Sequence, residues 1–100
     1  MRAAERFERA LRTSAACAGA PIRIASHAAS EWRSATFNGA RHVVEASGAR
    51  GAALDAWLAA LEQDELSVPG HMVAELRVGA RDHAGAAARF TLEGVTVALA

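Results

Sequence analysis

Twice in succession the chain passes through a stretch of helical periodicity and then through two stretches that alternate like strands. Arg2–Ala16 carries Ala3, Phe7, Ala10 and Leu11 at helix spacing, and Gly51–Leu66 carries Leu54, Trp57, Leu58 and Leu61 in the same way. A helix can bury one stripe and a sheet one face, so this order predicts an α+β fold. The expected architecture is a four-stranded antiparallel sheet with both helices packed on one face. It forms a single domain over residues 1–100, with pseudo-repeats at about 1–49 and 50–100. The second strands of the two halves can be laid over each other. Ala35-Thr-Phe37 leads to Gly39 and then Val43-Val44, and Ala88-Arg-Phe90 leads to Gly94 and Val95. A tandem αββ repeat follows from that overlay, with Phe37 and Phe90 in matching core places.

Alternation sets the expected facing of each strand. In strand 1, Ile22, Ile24, Ser26 and Ala28 point inward, and Arg23, Ala25 and His27 outward, before a turn near Ser30–Arg33. Asn38-Gly39 reads either as a two-residue hairpin turn or as a bulge within one long strand. The second half has Gly94 at a comparable place and no turn beside it, which favours the bulge. Phe37 and then His42, Val44 and Ala46 would then face the core. Strand 3 places Met72, Ala74, Leu76 and Val78 inward, and His71, Val73, Glu75 and Arg77 outward. Val68-Pro-Gly-His71 suits a type II turn, and Arg81–Gly85 the second hairpin loop.

A chain of this length buries about two-thirds of its unfolded surface in one core. Alanine dominates here, so the core is thin, built around Phe7, Leu11, Phe37, Trp57, Leu58, Leu61, Leu76, Phe90 and Leu92. Modest stability as a lone monomer is expected, and pairing with a second copy would relieve it. All eleven basic residues are arginine. Eight lie in residues 1–50 against four acidic groups, and three in residues 51–100 against seven. Opposite halves of this kind would steer two copies into an antiparallel arrangement. No run of apolar residues is long enough to span a membrane, and the charged N-terminus does not read as a signal peptide. Cys17 is single, so no internal disulfide can form. A cytoplasmic bacterial protein is the expectation.

Little in the sequence carries chemistry. The four histidines, His27, His42, His71 and His83, lack the local spacing of a metal site, so neither metal nor cofactor is expected. His42 is the notable one, because the assigned phase turns it inward. Gly48-Ala-Arg-Gly51 follows a strand and opens a helix, where free N–H groups can hold an anion. Arg50 and Arg41 would be its best members. No nucleophile elbow occurs, and no base adjoins Cys17. The face away from the helices carries Ala25, Val73 and Arg77, and Trp32 stands out as a large aromatic in a turn. These four are the interface candidates.

Two resemblances enter here. Ser34-Ala-Thr-Phe-Asn-Gly-Ala-Arg-His42 resembles a segment of small bacterial proteins of unassigned function, and it implies no activity. The element order is similar to the pterin carbinolamine dehydratase fold, which has a further C-terminal helix and a His-His-Pro type motif. Neither occurs here, so the likeness concerns topology alone. The expected function is a non-enzymatic binding or assembly module, forming a homodimer. The alternative is a small-molecule-binding protein or enzyme with its pocket between helices and sheet near His42. A weaker alternative is nucleic-acid binding through the arginine-rich first half.

Overall fold

The elements run α1 (Ala3–Cys17), β1 (Ile22–Arg33), β2 (Asn38–Ala49), α2 (Ala52–Leu61), β3 (His71–Ala84) and β4 (Ala87–Ala98). The structure is a computed structural model and describes residues 2–63 and 66–99. α1 forms because Phe7, Leu11 and Ala15 share one stripe, and all three are buried. It stops at Gly19, whose φ of 73° favours glycine, while Ala20 N–H donates back to the Ala15 carbonyl at 2.9 Å. α2 buries Leu54, Trp57, Leu58 and Leu61 and ends at Leu61, sooner than its periodicity suggests. Leu66 and Val68 are buried beyond its end. Asp64 and Glu65, within the expected helical stretch Gly51–Leu66, lie outside the described residues.

All strand pairs are antiparallel, in the order β1-β2-β4-β3. The central pair, β2 and β4, runs in unbroken register from Gly39↔Val97 to Ala49↔Ala87. Its inward face supplies Val44, Ala46, Ala88, Phe90 and Leu92 to one core. Both helices rest on that face. A Cβ at Gly94 would stand 2.8 Å from the Phe7 ring, and one at Gly48 would stand 3.4 Å from Leu54. Trp57 meets Phe90 edge-on at 6.3 Å, and its Nε1–H donates to Ser14 Oγ of α1 at 2.9 Å.

The phase of β1 and β3 and the start of β2 differ from the alternation read above. β2 carries no bulge at Asn38-Gly39. It begins at Asn38, and residues 34–37 are the hairpin turn, not residues 30–33. Ser34 Oγ accepts from Phe37 N–H at 3.0 Å, and Ser34 N–H donates to the Phe37 carbonyl at 2.8 Å. This local side-chain bonding outcompetes extension of the strand. Phe37 is therefore 55% exposed, whereas Phe90 is 3% exposed. The overlay that equated the two phenylalanines does not hold, although the order αββαββ does.

Bulges occur instead in the edge strands. Ala25 is the extra residue in β1, between Ile24↔Ala46 and Ser26↔Glu45. Ala74 is the extra residue in β3, and a second irregularity separates Val78 from Arg81. Each bulge shifts the phase by one and reverses the facing beyond it. His27 therefore turns inward opposite Val44, and Ser26 and Ala28 turn outward. Before the β3 bulge, Val73 lies inward and packs against the core, and Met72 lies outward. The β3–β4 turn is tight at Gly85, with φ 64°, and Arg81–Ala84 belong to the strand rather than to a loop.

Candidate functional site

The bulge at Ala25 brings two histidines together that lie fifteen residues apart. His27 Nε2 and His42 Nδ1 are 2.9 Å from each other. At one end His27 Nδ1 meets Glu8 Oε2 of α1 at 3.1 Å, and at the other His42 Nε2 meets Thr96 Oγ1 of β4 at 2.9 Å. The result is a continuous chain, Glu8–His27–His42–Thr96, running from helix to central strands. Phe7 covers it, stacked on His42 at 4.2 Å and 16°.

Electrostatics fix the direction of this chain. Burial pushes the Glu8 carboxyl up, but hydrogen bonds from His27 and Arg12 outweigh it and hold it below its ordinary value. Glu8 is thus a carboxylate near neutral pH and accepts only. In the neutral tautomer of His27 that donates Nδ1–H to it, Nε2 accepts from His42 Nδ1–H. His42 Nε2 then accepts from the Thr96 hydroxyl. His42 stays neutral, since burial, then the charge of His27 and of His71, lower its pKa to about 4. Exposure decides what this chain can do. The Glu8 side chain is 32% exposed, His27 5%, and the residues His42 and Thr96 1% and 0%. Glu8 is the only member of the chain with substantial exposure, and Thr96 is buried at the floor of a cleft.

A shallow cleft of about 340 Å³ lies at the sheet end near Thr96, lined by Glu31, Trp32, Arg33, Asn38 and His71 among others. His42 does not line it. The buried imidazole expected as a pocket residue is instead sealed beneath Phe7.

The anion candidates separate. Gly51 precedes α2, and Gly48 faces Leu54 and Ile22. Arg50 is engaged with the β3–β4 turn, donating from its backbone to Ala86 and from its side chain to the Gly85 carbonyl at 3.1 Å. Arg41 lies near the other end of β2 on the opposite face, so no joint site with Arg50 exists. Among the described residues no three His, Cys, Asp or Glu side chains gather as metal ligands. In the His27–His42 pair the ring nitrogens point at each other and leave no shared vertex for an ion.

The interface candidates fall into a different pattern. Trp32 pairs with Gly39 inside β1, not in a turn; Gly39 pairs with Val97, and Val97 with Met72. Trp32, Gly39, Val97 and Met72 form one row across all four strands, on the face away from the helices. The Trp32 ring occupies the space a side chain at Gly39 would need. Met72 is 50% exposed, and exposed Phe37 and Leu99 lie at the same end of the sheet. The Trp32 indole nitrogen is buried without a hydrogen-bond partner. Arg77 is on this face, paired with Glu93 at 2.7 Å, and exposed Ala25 sits at the bulge. Val73 is not part of it. Sequence reasoning missed Met72 because the Ala74 bulge reverses the facing of β3; Val97 lies on unbulged β4, where alternation from inward Phe90 turns it outward.

No helix among the described residues is long and apolar enough to cross a membrane. Compared with protein-family models, with curated proteins and with solved structures, the chain matches none.

Proposed function

We propose that this protein is a small non-enzymatic assembly module that pairs with a second copy of itself through the open face of its sheet. The observation that carries this reading is the apolar row Trp32–Gly39–Val97–Met72, flanked by exposed Phe37 and Leu99. A contiguous apolar patch on an otherwise charged face marks an interaction surface. Four strands of twelve to fourteen residues offer a face of roughly 40 by 19 Å, or about 750 Å² per copy. Twice that is about 1,500 Å², within the range of stable specific interfaces.

Charge supplies the orientation. A twofold axis parallel to the strands lays β1 and β2 of one copy over β3 and β4 of the other. Arg41 on β2 then approaches Glu75 and Glu93 of the second copy, and both such contacts form at once. Nucleic-acid binding through the arginine-rich first half has less support, since Arg6, Arg12 and Arg50 are held by groups of their own chain. The experiment is Met72→Glu. It places a carboxylate on the patch and leaves the core untouched. The variant should sediment as a monomer with a circular dichroism spectrum like that of the dimeric parent. A variant that keeps the parent's mass would remove Met72 from the interface and contradict the reading.

A further inference from the structure

The Glu8–His27–His42–Thr96 chain is a polar link between α1 and the central sheet, and it is closed to solvent everywhere but at Glu8. A closed chain of four groups has a limited number of proton arrangements, and they can be counted. With Glu8 ionised and both imidazoles neutral, three protons lie in three bonds, all directed toward Glu8. An arrangement with one more proton has His27 donating from both nitrogens, to Glu8 and to His42 Nδ1, while His42 changes tautomer and donates from Nε2 to Thr96 Oγ1. The three contacts survive, but the Thr96 hydroxyl hydrogen loses His42 Nε2 as its acceptor. A second added proton, on His42, sets two N–H groups against each other across the 2.9 Å contact, and that bond cannot form.

We propose that this chain is an acid-operated latch for the first half of α1, keeping its contacts with one added proton and letting go when His42 takes another. The groups facing the pair are known from each packed element. α1 presents Glu8, itself held by Arg12 at 3.1 Å. β3 presents His71, whose charge opposes a proton on His42. β4 presents Thr96, and α2 presents only its apolar stripe, Leu54, Trp57, Leu58 and Leu61. Phe7 and Glu8 are consecutive, so both the ring that seals the pair and the carboxylate that anchors it belong to one turn of α1. When His42 becomes charged it must reach water, and the route out passes through that turn. The strand ladders do not depend on these bonds, and β2–β4 pairs without interruption.

The sign of the pH dependence follows from His42. Its folded pKa of about 4 lies below the ordinary 6.5, so in the unfolded chain it binds a proton first as pH falls. Stability is complete above 6.5 and declines toward 4. The latch gives way at the lower end of that window.

The test uses the intact chain in two measurements. Nitrogen-15 NMR of the imidazoles at neutral pH should find His42 protonated on Nδ1 and His27 on Nδ1. The opposite tautomer at His42 would overturn the proton count. Amide exchange is then followed from neutral pH down past about 4. Protection of the Phe7–Ala10 amides should fall about tenfold relative to that of β2 and β4. Loss of protection in step across α1 and the central strands would mean ordinary acid unfolding and would sink the latch. His42→Leu should abolish the difference between the two segments. A folded His42→Leu protein that still releases α1 selectively in acid would assign the effect to another group. Should that variant not fold, the two wild-type measurements decide alone.

Discussion

Phe37 and Phe90 stand in similar local sequences and have opposite fates. The Phe90 ring lies under Trp57 in the core, while Phe37 projects from a turn held by Ser34. Removing the first leaves a cavity that the thin, alanine-rich core cannot refill. Phe90→Ala should cost about 3–5 kcal/mol in urea unfolding. Phe37→Ala, measured in solution dilute enough to hold a monomer, should cost under about 0.5 kcal/mol. Equal costs would place Phe37 in the core after all. Periodicity made Phe7, Leu11, Trp57, Leu58, Leu61, Leu76, Phe90 and Leu92 legible as core, because each lies on a regular stripe. Phe37 was not legible, since one serine hydroxyl bonding three residues ahead changes the backbone without changing the apolar pattern. His42 was legible as an inward residue through the phase of β2. Its partners were not, because they come from three other elements.

At the scale of elements, order and type were written in the pattern, and register was not. Alternation has a period of two, so one bulged residue reverses everything after it. Ala25 and Ala74 are such residues, and nothing in their composition distinguishes them from the alanines around them. Both sit in edge strands. There an extra residue needs no second partner, and a bulge with nearby charges discourages pairing with foreign strands. Arg23 near the first bulge and Glu75 after the second fit that role. The link that the Ala25 bulge accommodates can be measured. Deleting Ala25 joins Ile24↔Ala46 directly to Ser26↔Glu45 and His27↔Val44, so β1 pairs evenly with β2 and His27 still faces the core. The His27–His42 contact should persist in NMR spectra of that variant. His27→Ala instead removes the partner of both His42 Nδ1 and Glu8. An orphaned buried donor costs about 1–3 kcal/mol, so urea unfolding should show a loss of at least that size. Unchanged stability in His27→Ala would mean the chain of hydrogen bonds is incidental to the fold.

At the scale of the whole molecule, the chain is a slab of 46 × 22 × 21 Å, with helices on one side of a sheet whose other side is open. One side is a core made of a few large residues and many alanines. The other is charged over most of its length and apolar at one end. Such a body buries limited area for its size, and a second copy over the open face would add an interface comparable to many stable dimers. The separation of charge between the two halves was legible in the sequence. The position of the apolar end was not, because it depends on the Ala74 bulge and on Trp32 lying inside β1. Self-association through the open face can be read from sedimentation equilibrium of the wild-type protein at micromolar concentration. The mass should be twice the 10.4 kDa chain mass, shifting toward the single-chain mass as salt is raised and Arg41 is screened from Glu75 and Glu93. A mass of 10.4 kDa at every concentration and salt would contradict it.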